Sequence, residues 1–337
     1  MTHHAFGAAV VHSALPLPSL PRLPDDAPGL PITVELAASG IPDDTPWQHH
    51  WLDGDEALLS LARQGEGYWL RVPGQADFLV HLDPCRVQAW PTREPAADAA
   101  TLAHLLVDQI LPRVLAQIGG TLIHASAVRI GARQVLFAAP SGWGKSTLAG
   151  LLHRAGHPVL SDDCVQLQLD PVGRVRALPT YPSLRLNADS LQALFPDQAD
   201  TAPVAHYTDK RRVPVPAPAD AGQPTPVDAI YLLGDPAQDG DDVRIEPAHP
   251  AAICLALIRH SFRLDLGDRA ASAAQLRQCG AIASAVPGFE LHYPRDHARS
   301  DALLEALFAH LATLPPASPS ALAAPFAATP TTTSTPR

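Results

Sequence analysis

Short apolar runs recur at strand length along the first third of the chain. Ile32-Thr33-Val34-Glu35-Leu36, Tyr68-Trp69-Leu70-Arg71-Val72 and Phe78-Leu79-Val80-His81-Leu82 are separated by Pro, Gly and Asp turns. That pattern predicts an antiparallel sheet. Over 99–118 the period changes, apolar residues recur three and four apart, and a helix is expected. Residues 121–130 and 134–139 flank a Gly131-Ala132-Arg133 turn and read as a hairpin. A helix over 148–154, stopped by Gly156 and Pro158, precedes the apolar Val159-Leu160. Right-handed crossover then brings the end of that strand beside the preceding loop.

Residues 164–170 and 174–178 flank Pro171-Val172-Gly173 as a second hairpin, which argues for a mixed rather than a fully parallel sheet. A strand over 227–233, helices over 250–258 and 270–278, a short strand at 290–293 and a closing helix over 299–314 complete the pattern. From Pro315 the Pro/Ala/Ser/Thr composition cannot build a core, so 315–337 is expected to be disordered. The organisation expected is a small β-rich α+β domain over 1–118, then a mixed α/β domain over 119–314.

The chemistry concentrates between the two halves of the first α/β unit. Ala139-Pro140-Ser141-Gly142-Trp143-Gly144-Lys145-Ser146-Thr147 follows an apolar strand and opens a helix. In that order, strand, glycine loop and helix form a phosphate cradle, with loop amides and the helix dipole aimed at the anion. Gly142 and Gly144 let the backbone wrap phosphates, Lys145 pairs with the β- and γ-phosphates, and Ser146 suits magnesium. The first position of such loops is ordinarily glycine; here it is Ala139. Ser141, Trp143 and Thr147 complete the candidate nucleotide-binding set.

Asp162 and Asp163 fall at the strand end where magnesium and γ-phosphate are expected. One of them suits a metal, the other the proton of an incoming hydroxyl, and the residues do not say which. Arg185, on a connection after Tyr181-Pro182-Ser183-Leu184, is either a phosphate ligand or a solvated surface arginine. The Lys210-Arg211-Arg212 run reads first as a solvated loop and second as a basic loop over phosphate. His3/His4 and His49/His50 lack a third ligand at metal-binding spacing.

Composition bounds the rest. The 337 residues are 46% hydrophobic and 17% charged, enough for two domains with sizeable cores. A net charge of −10 disfavours nucleic acid and acidic membrane surfaces as partners. Cys85, Cys164, Cys254 and Cys279 are scattered and read as reduced small hydrophobes. With neither a basic leader nor an uncharged membrane-length run, a soluble cytoplasmic protein is expected.

Leu122-Ile123-His124-Ala125-Ser126-Ala127-Val128, the 140–147 loop, Ser161-Asp162-Asp163 and the 181–186 segment together resemble the HPr serine kinase/phosphorylase-related P-loop kinases. Ala5-Phe6-Gly7 and the 15–20 segment resemble the leading domain of their HPr-kinase-like branch, which includes kinases of lasso-peptide precursors. The resemblance is specific over roughly 120–190 and looser to 313. It implies a phosphoenolpyruvate-carboxykinase-like mixed α/β fold and transfer from Mg-ATP to a serine of a peptide or small protein.

By position, the resemblance makes Lys145 and Ser146 the phosphate and magnesium residues, and Asp162 and Asp163 the paired acids. His124 matches a histidine before the loop; its strand position alone fits a core histidine equally. No Glu-containing signature of the bifunctional relatives follows the loop unit, so a specialised kinase is expected rather than a phosphorolytic enzyme. A homo-oligomer is compatible with this reading. The alternatives are a kinase of a small sugar or alcohol, and a non-catalytic nucleotide-binding partner in a biosynthetic complex.

Overall fold

The computed structural model describes residues 1–37, 40–92, 95–198, 203–205, 208–216, 223–238 and 240–315. The early apolar runs form β1 (Thr2–Phe6), β2 (Ala9–Ser13), β3 (Leu30–Leu36), β4 (His49–Asp53), β5 (Glu56–Gln64), β6 (Gly67–Val72), β7 (Ala76–Leu82) and β8 (Cys85–Pro91). They make one sheet in the order β1-β2-β3-β8-β7-β6-β5-β4. The expected antiparallel pattern holds from β8 to β4, where tight turns join neighbours. It fails at β3, which lies parallel to both β2 and β8. The long 14–29 connection returns the chain to the start of the sheet, as parallel pairing requires.

The apolar helix begins earlier than expected. It runs as α1 (Pro95–Leu105), a π-helical turn (Leu106–Ile110) and α2 (Leu111–Gln117). Residues 99–117 have the length and hydropathy of a membrane span, yet most of that window is buried inside the protein. Leu102, Leu106, Ile110 and Val114 pack under the eight-stranded sheet. Their cluster continues into Leu122, Cys164, Tyr181 and Leu264, so one apolar core spans the boundary near residue 118.

The remaining elements are β9 (Thr121–Ile123), β10 (Ala125–Ile130), β11 (Arg133–Ala138), α3 (Lys145–Arg154), β12 (Val159–Ser161), β13 (Val165–Leu169), β14 (Val175–Pro179), β15 (Ser183–Leu186), α4 (Ala188–Leu194), β16 (Pro203–Ala205), β17 (Thr208–Pro214), β18 (Thr225–Pro226), β19 (Ala229–Leu233), β20 (Arg244–Pro247), α5 (Pro250–Arg259), α6 (Arg269–Ala285), β21 (Gly288–His292) and α7 (Ser300–Thr313). Three sheets result, ordered β12-β10-β11-β19-β21-β20, β18-β14-β13-β9 and β15-β17-β16. The six-stranded sheet is mixed: β11, β19 and β21 are parallel, and β10, β12 and β20 join antiparallel. Its interior strands β10 and β11 are buried along most of their length, which is why their sequences are largely apolar.

Two expectations about this region change. Residues 121–130 are not one strand, because the chain leaves the four-stranded sheet at Ile123 and enters the six-stranded one at Ala125. Nor does β12 border the loop strand β11; β10 lies between them. A second crossing between the same sheets occurs from β12 to β13. Ile123 pairs with Val165 and Ala127 with Ser161, so His124 and the 162–164 segment meet at one seam.

The 210–212 run is not a loop either. It lies on β17, where Leu184 pairs with the buried Val213 and Arg185 with Arg212. The tail expected from Pro315 falls, beyond that residue, outside the described residues.

Candidate active site

The loop from β11 to α3 carries the phosphate-cradle geometry. Gly142 and Gly144 have φ of +81° and +91°, a conformation that side chains disfavour. A Cβ on Gly144 would also meet Tyr293 Oη at 3.2 Å. Ala139 needs no such freedom: it lies outside the positive-φ residues and its methyl is buried in the core beside Phe137 and Leu148. No side chain caps the N-terminus of α3, which leaves its first turn open to an anion.

Lys145 is 4% exposed, and its Nζ donates to Ala139 O at 2.9 Å and Pro140 O at 3.1 Å. Burial lowers its pKa, with Asp163 and Asp162 opposing that shift. Arg295, stacked on Tyr293, braces the loop from outside through Trp143 O at 3.2 Å and Gly234 O at 3.0 Å.

The acids stand at the seam. Asp162 is fully buried and accepts from Ser126 Oγ at 2.5 Å and from the Arg185 amide at 3.2 Å. The nearby Ser146 hydroxyl also favours its charged form. Burial, then the charge of Asp163, raises its pKa to about 6 against those hydrogen bonds. Asp163 is the one described non-glycine residue with positive φ, at +64°. Its Oδ1 lies 3.3 Å from His124 Nε2 and its Oδ2 3.5 Å from Arg185 Nη1. Burial pushes this carboxyl up, but His124, Arg185 and Lys210 outweigh it and hold it well below the usual range. Strained αL geometry at a site like this persists only where surrounding contacts over-determine it.

One cleft is lined by His124, Ser141, Gly142, Gly144, Lys145, Ser146, Thr147, Asp163 and Arg185, with Asn187 and Lys210 at its side. Asp162 lies beneath it, while Trp143 packs towards the core that holds Leu148 and Tyr293. Thr147 Oγ1 also bonds Ser190 Oγ at 2.9 Å. Arg185 is not a surface arginine, since its side chain is 2% exposed. His124 is a seam residue, its amide donating to His260 O at 2.7 Å and its ring stacking on Phe262. Burial, followed by Lys145 and His124, lowers His260 to a pKa of about 4.

Sequence reasoning missed Ser126, Asp108 and Arg295, and it ranked the cleft position of Lys210 second to a solvated loop. Ser126 stood inside the quoted 122–128 motif, and strand alternation from His124 was the signal available; the others act across long separations.

Among the described residues no group of three or more His, Cys, Asp or Glu side chains is placed to hold a metal, the His pairs at 3/4 and 49/50 included. The Ser146 hydroxyl and the two carboxylates are a different donor set. They offer hard oxygens on one side of a phosphate cradle, which fits magnesium completed by phosphate and water.

No family model matches this chain, and no curated protein matches it. Among solved structures, the HPr(Ser) kinase/phosphatase from Coxiella burnetii aligns over 57% of this chain and 97% of its own, at 14% identity and a TM-score of 0.30. The chain is similar to that protein distantly, in fold alone.

Proposed function

We propose that this protein is a Mg-ATP-dependent phosphotransferase acting on a hydroxyl, with a serine of a peptide or small protein as acceptor. The observation that carries the reading is the convergence of Lys145, Ser146 and Asp163 on one cleft at the N-terminus of an uncapped helix, with Asp162 buried beneath them. The serine acceptor, and a ribosomally made precursor peptide as one such substrate, follow the resemblance of the 120–190 motifs.

Loop amides and Lys145 bind and orient the phosphates and spread the charge that develops during transfer. Lys145 leaves the two loop carbonyls for phosphate oxygens. Ser146 and the neighbouring Asp162 are the residues that would hold magnesium. That ion neutralises charge on the phosphates when bound. Asp163 faces the cleft and Asp162 does not, so Asp163 is assigned to the acceptor. The acceptor oxygen bonds to the γ-phosphorus, the bond to the ADP oxygen breaks, and the hydroxyl proton passes to Asp163. A weak base suffices because the transition state is loose. His124 orients Asp163 from its other side.

Calorimetric titration with Mg-ATP tests the binding half of this reading. Wild type is expected to bind, and Lys145→Ala to bind at least ~10-fold more weakly, on the order of one lost charge-assisted contact. Equal binding by both would remove Lys145 from the site.

A further inference from the structure

The paired acids are held from an unexpected direction. Asp108 lies in the π-helical turn between α1 and α2, outside the segment that carries the loop and the acids. A π turn inside an α-helix commonly marks a functional position. Asp108 Oδ2 forms an ion pair with Arg185 Nη1 and lies 3.2 Å from His104 Nδ1, while Oδ1 accepts from Tyr181 Oη at 3.0 Å. Tyr181 is fully buried and stacks against the same guanidinium at 4.7 Å.

Arg185 touches both catalytic-site acids. Its backbone amide serves Asp162, and its Nη1 faces Asp163 at 3.5 Å while making a closer contact to Asp108. Arg212 stands opposite it in register, so no neutralising group comes from β17 at that position.

We propose that Asp108 is a positioning residue of the paired-acid site, holding Arg185 so that its guanidinium is shared with Asp163 and not taken over by it. A cation this buried needs a carboxylate. With the charge of Asp108 gone, Asp163 is the remaining acid paired with Arg185 among the described residues. Arg185 then closes on Asp163 and draws its oxygens away from His124 and the cleft. Lys145 and the loop amides are untouched. The inference rests on the kinase reading, and it makes the N-terminal helix part of the catalytic centre.

The test measures kcat and KM for Mg-ATP in wild type, Asp108→Asn and Asp108→Glu. The proposal expects kcat to fall about 10–100-fold in Asp108→Asn, the range for residues that support a site's ligands. KM should stay within ~3-fold because phosphate contacts are intact, and Asp108→Glu should recover part of the loss. An unchanged kcat, or a loss carried by KM alone, overturns it. Should Asp108→Asn not fold, Tyr181→Phe decides: it releases one oxygen of Asp108 and keeps the ring under Arg185. A several-fold lower kcat at unchanged KM then supports the proposal, and an unchanged kcat overturns it.

A wild type that transfers no phosphoryl group refutes the kinase reading and leaves a second measurement for this inference. Urea unfolding of Asp108→Asn, Asp163→Asn and the double variant reads the coupling directly. Non-additive losses, larger in the double variant, support a shared Arg185; additive losses overturn it.

Discussion

Asp162 makes the nucleotide-free protein less stable than its own fold would allow, and Asp162→Asn should show it. The carboxyl is fully buried beside Asp163, and its pKa is raised from 3.8 to about 6. A folded-state pKa above the unfolded one means that this group's stabilising contribution is complete below pH ~4 and lost as pH rises through about 6. At pH 7.5 the cost of keeping it ionised is about 3 kcal/mol. Asparagine mimics the protonated acid. Its oxygen can accept from the Arg185 amide, and its NH2 can donate to Ser126, whose hydroxyl turns to accept.

Without ligand at pH 7.5, Asp162→Asn should therefore melt several degrees above wild type, on the order of 2 °C per kcal/mol for a chain of this size. The gap should narrow steadily down to pH 4.5. Mg-ATP at about 1,000-fold excess over Kd should reverse the order: wild type gains about 4.1 kcal/mol, and the variant gains little. Thermal melting across pH, with and without Mg-ATP, is the assay. A variant less stable than wild type at pH 7.5, or a gap that ignores pH, would refute the reasoning.

The loop itself offers two further predictions. Gly144→Ala puts a methyl at φ +91° and 3.2 Å from Tyr293 Oη. It should lower stability by about 1–2 kcal/mol in urea unfolding and weaken Mg-ATP in titration. Arg295→Ala removes donors to Trp143 O, Gly234 O and Tyr293 O together with stacking on Tyr293. A loss of about 1–3 kcal/mol, with Mg-ATP binding weakened by loosening of the loop, is expected; binding unchanged in calorimetry would mean the brace is structural alone.

What was legible in the sequence was local. Gly142, Gly144, Lys145 and Ser146 lie within one turn of one another, so spacing alone declares the cradle. The adjacency of Asp162 and Asp163 was equally visible, but not their difference: one is buried and held by Ser126 and the Arg185 amide, the other turned into αL geometry towards His124. That difference comes from two chain crossings at a seam between sheets, and strand periodicity does not report where a strand changes sheet. Arg185 could not be told from a surface arginine because its partner Asp108 arrives from a helix far upstream. The parallel joins at β3 were hidden for a similar reason, since a long connection carries no turn signal. Lys210 and Arg212 read first as a solvated loop because their polar, Pro-rich surroundings hide that they lie on β17, the middle strand of a small sheet.

Phosphoryl transfer itself is tested most directly by intact mass. Wild type and Asp163→Asn would be incubated side by side with Mg-ATP and short serine-containing peptides, starting with any encoded beside the gene. Asparagine also tolerates the αL conformation of position 163, so the variant changes the charge and spares the backbone. The account expects one phosphate added to peptide by wild type, none by Asp163→Asn, and nucleotide binding by both. A peptide phosphorylated equally by the two proteins would contradict the role given to Asp163. No phosphorylated peptide, with nucleotide bound, would contradict the peptide kinase.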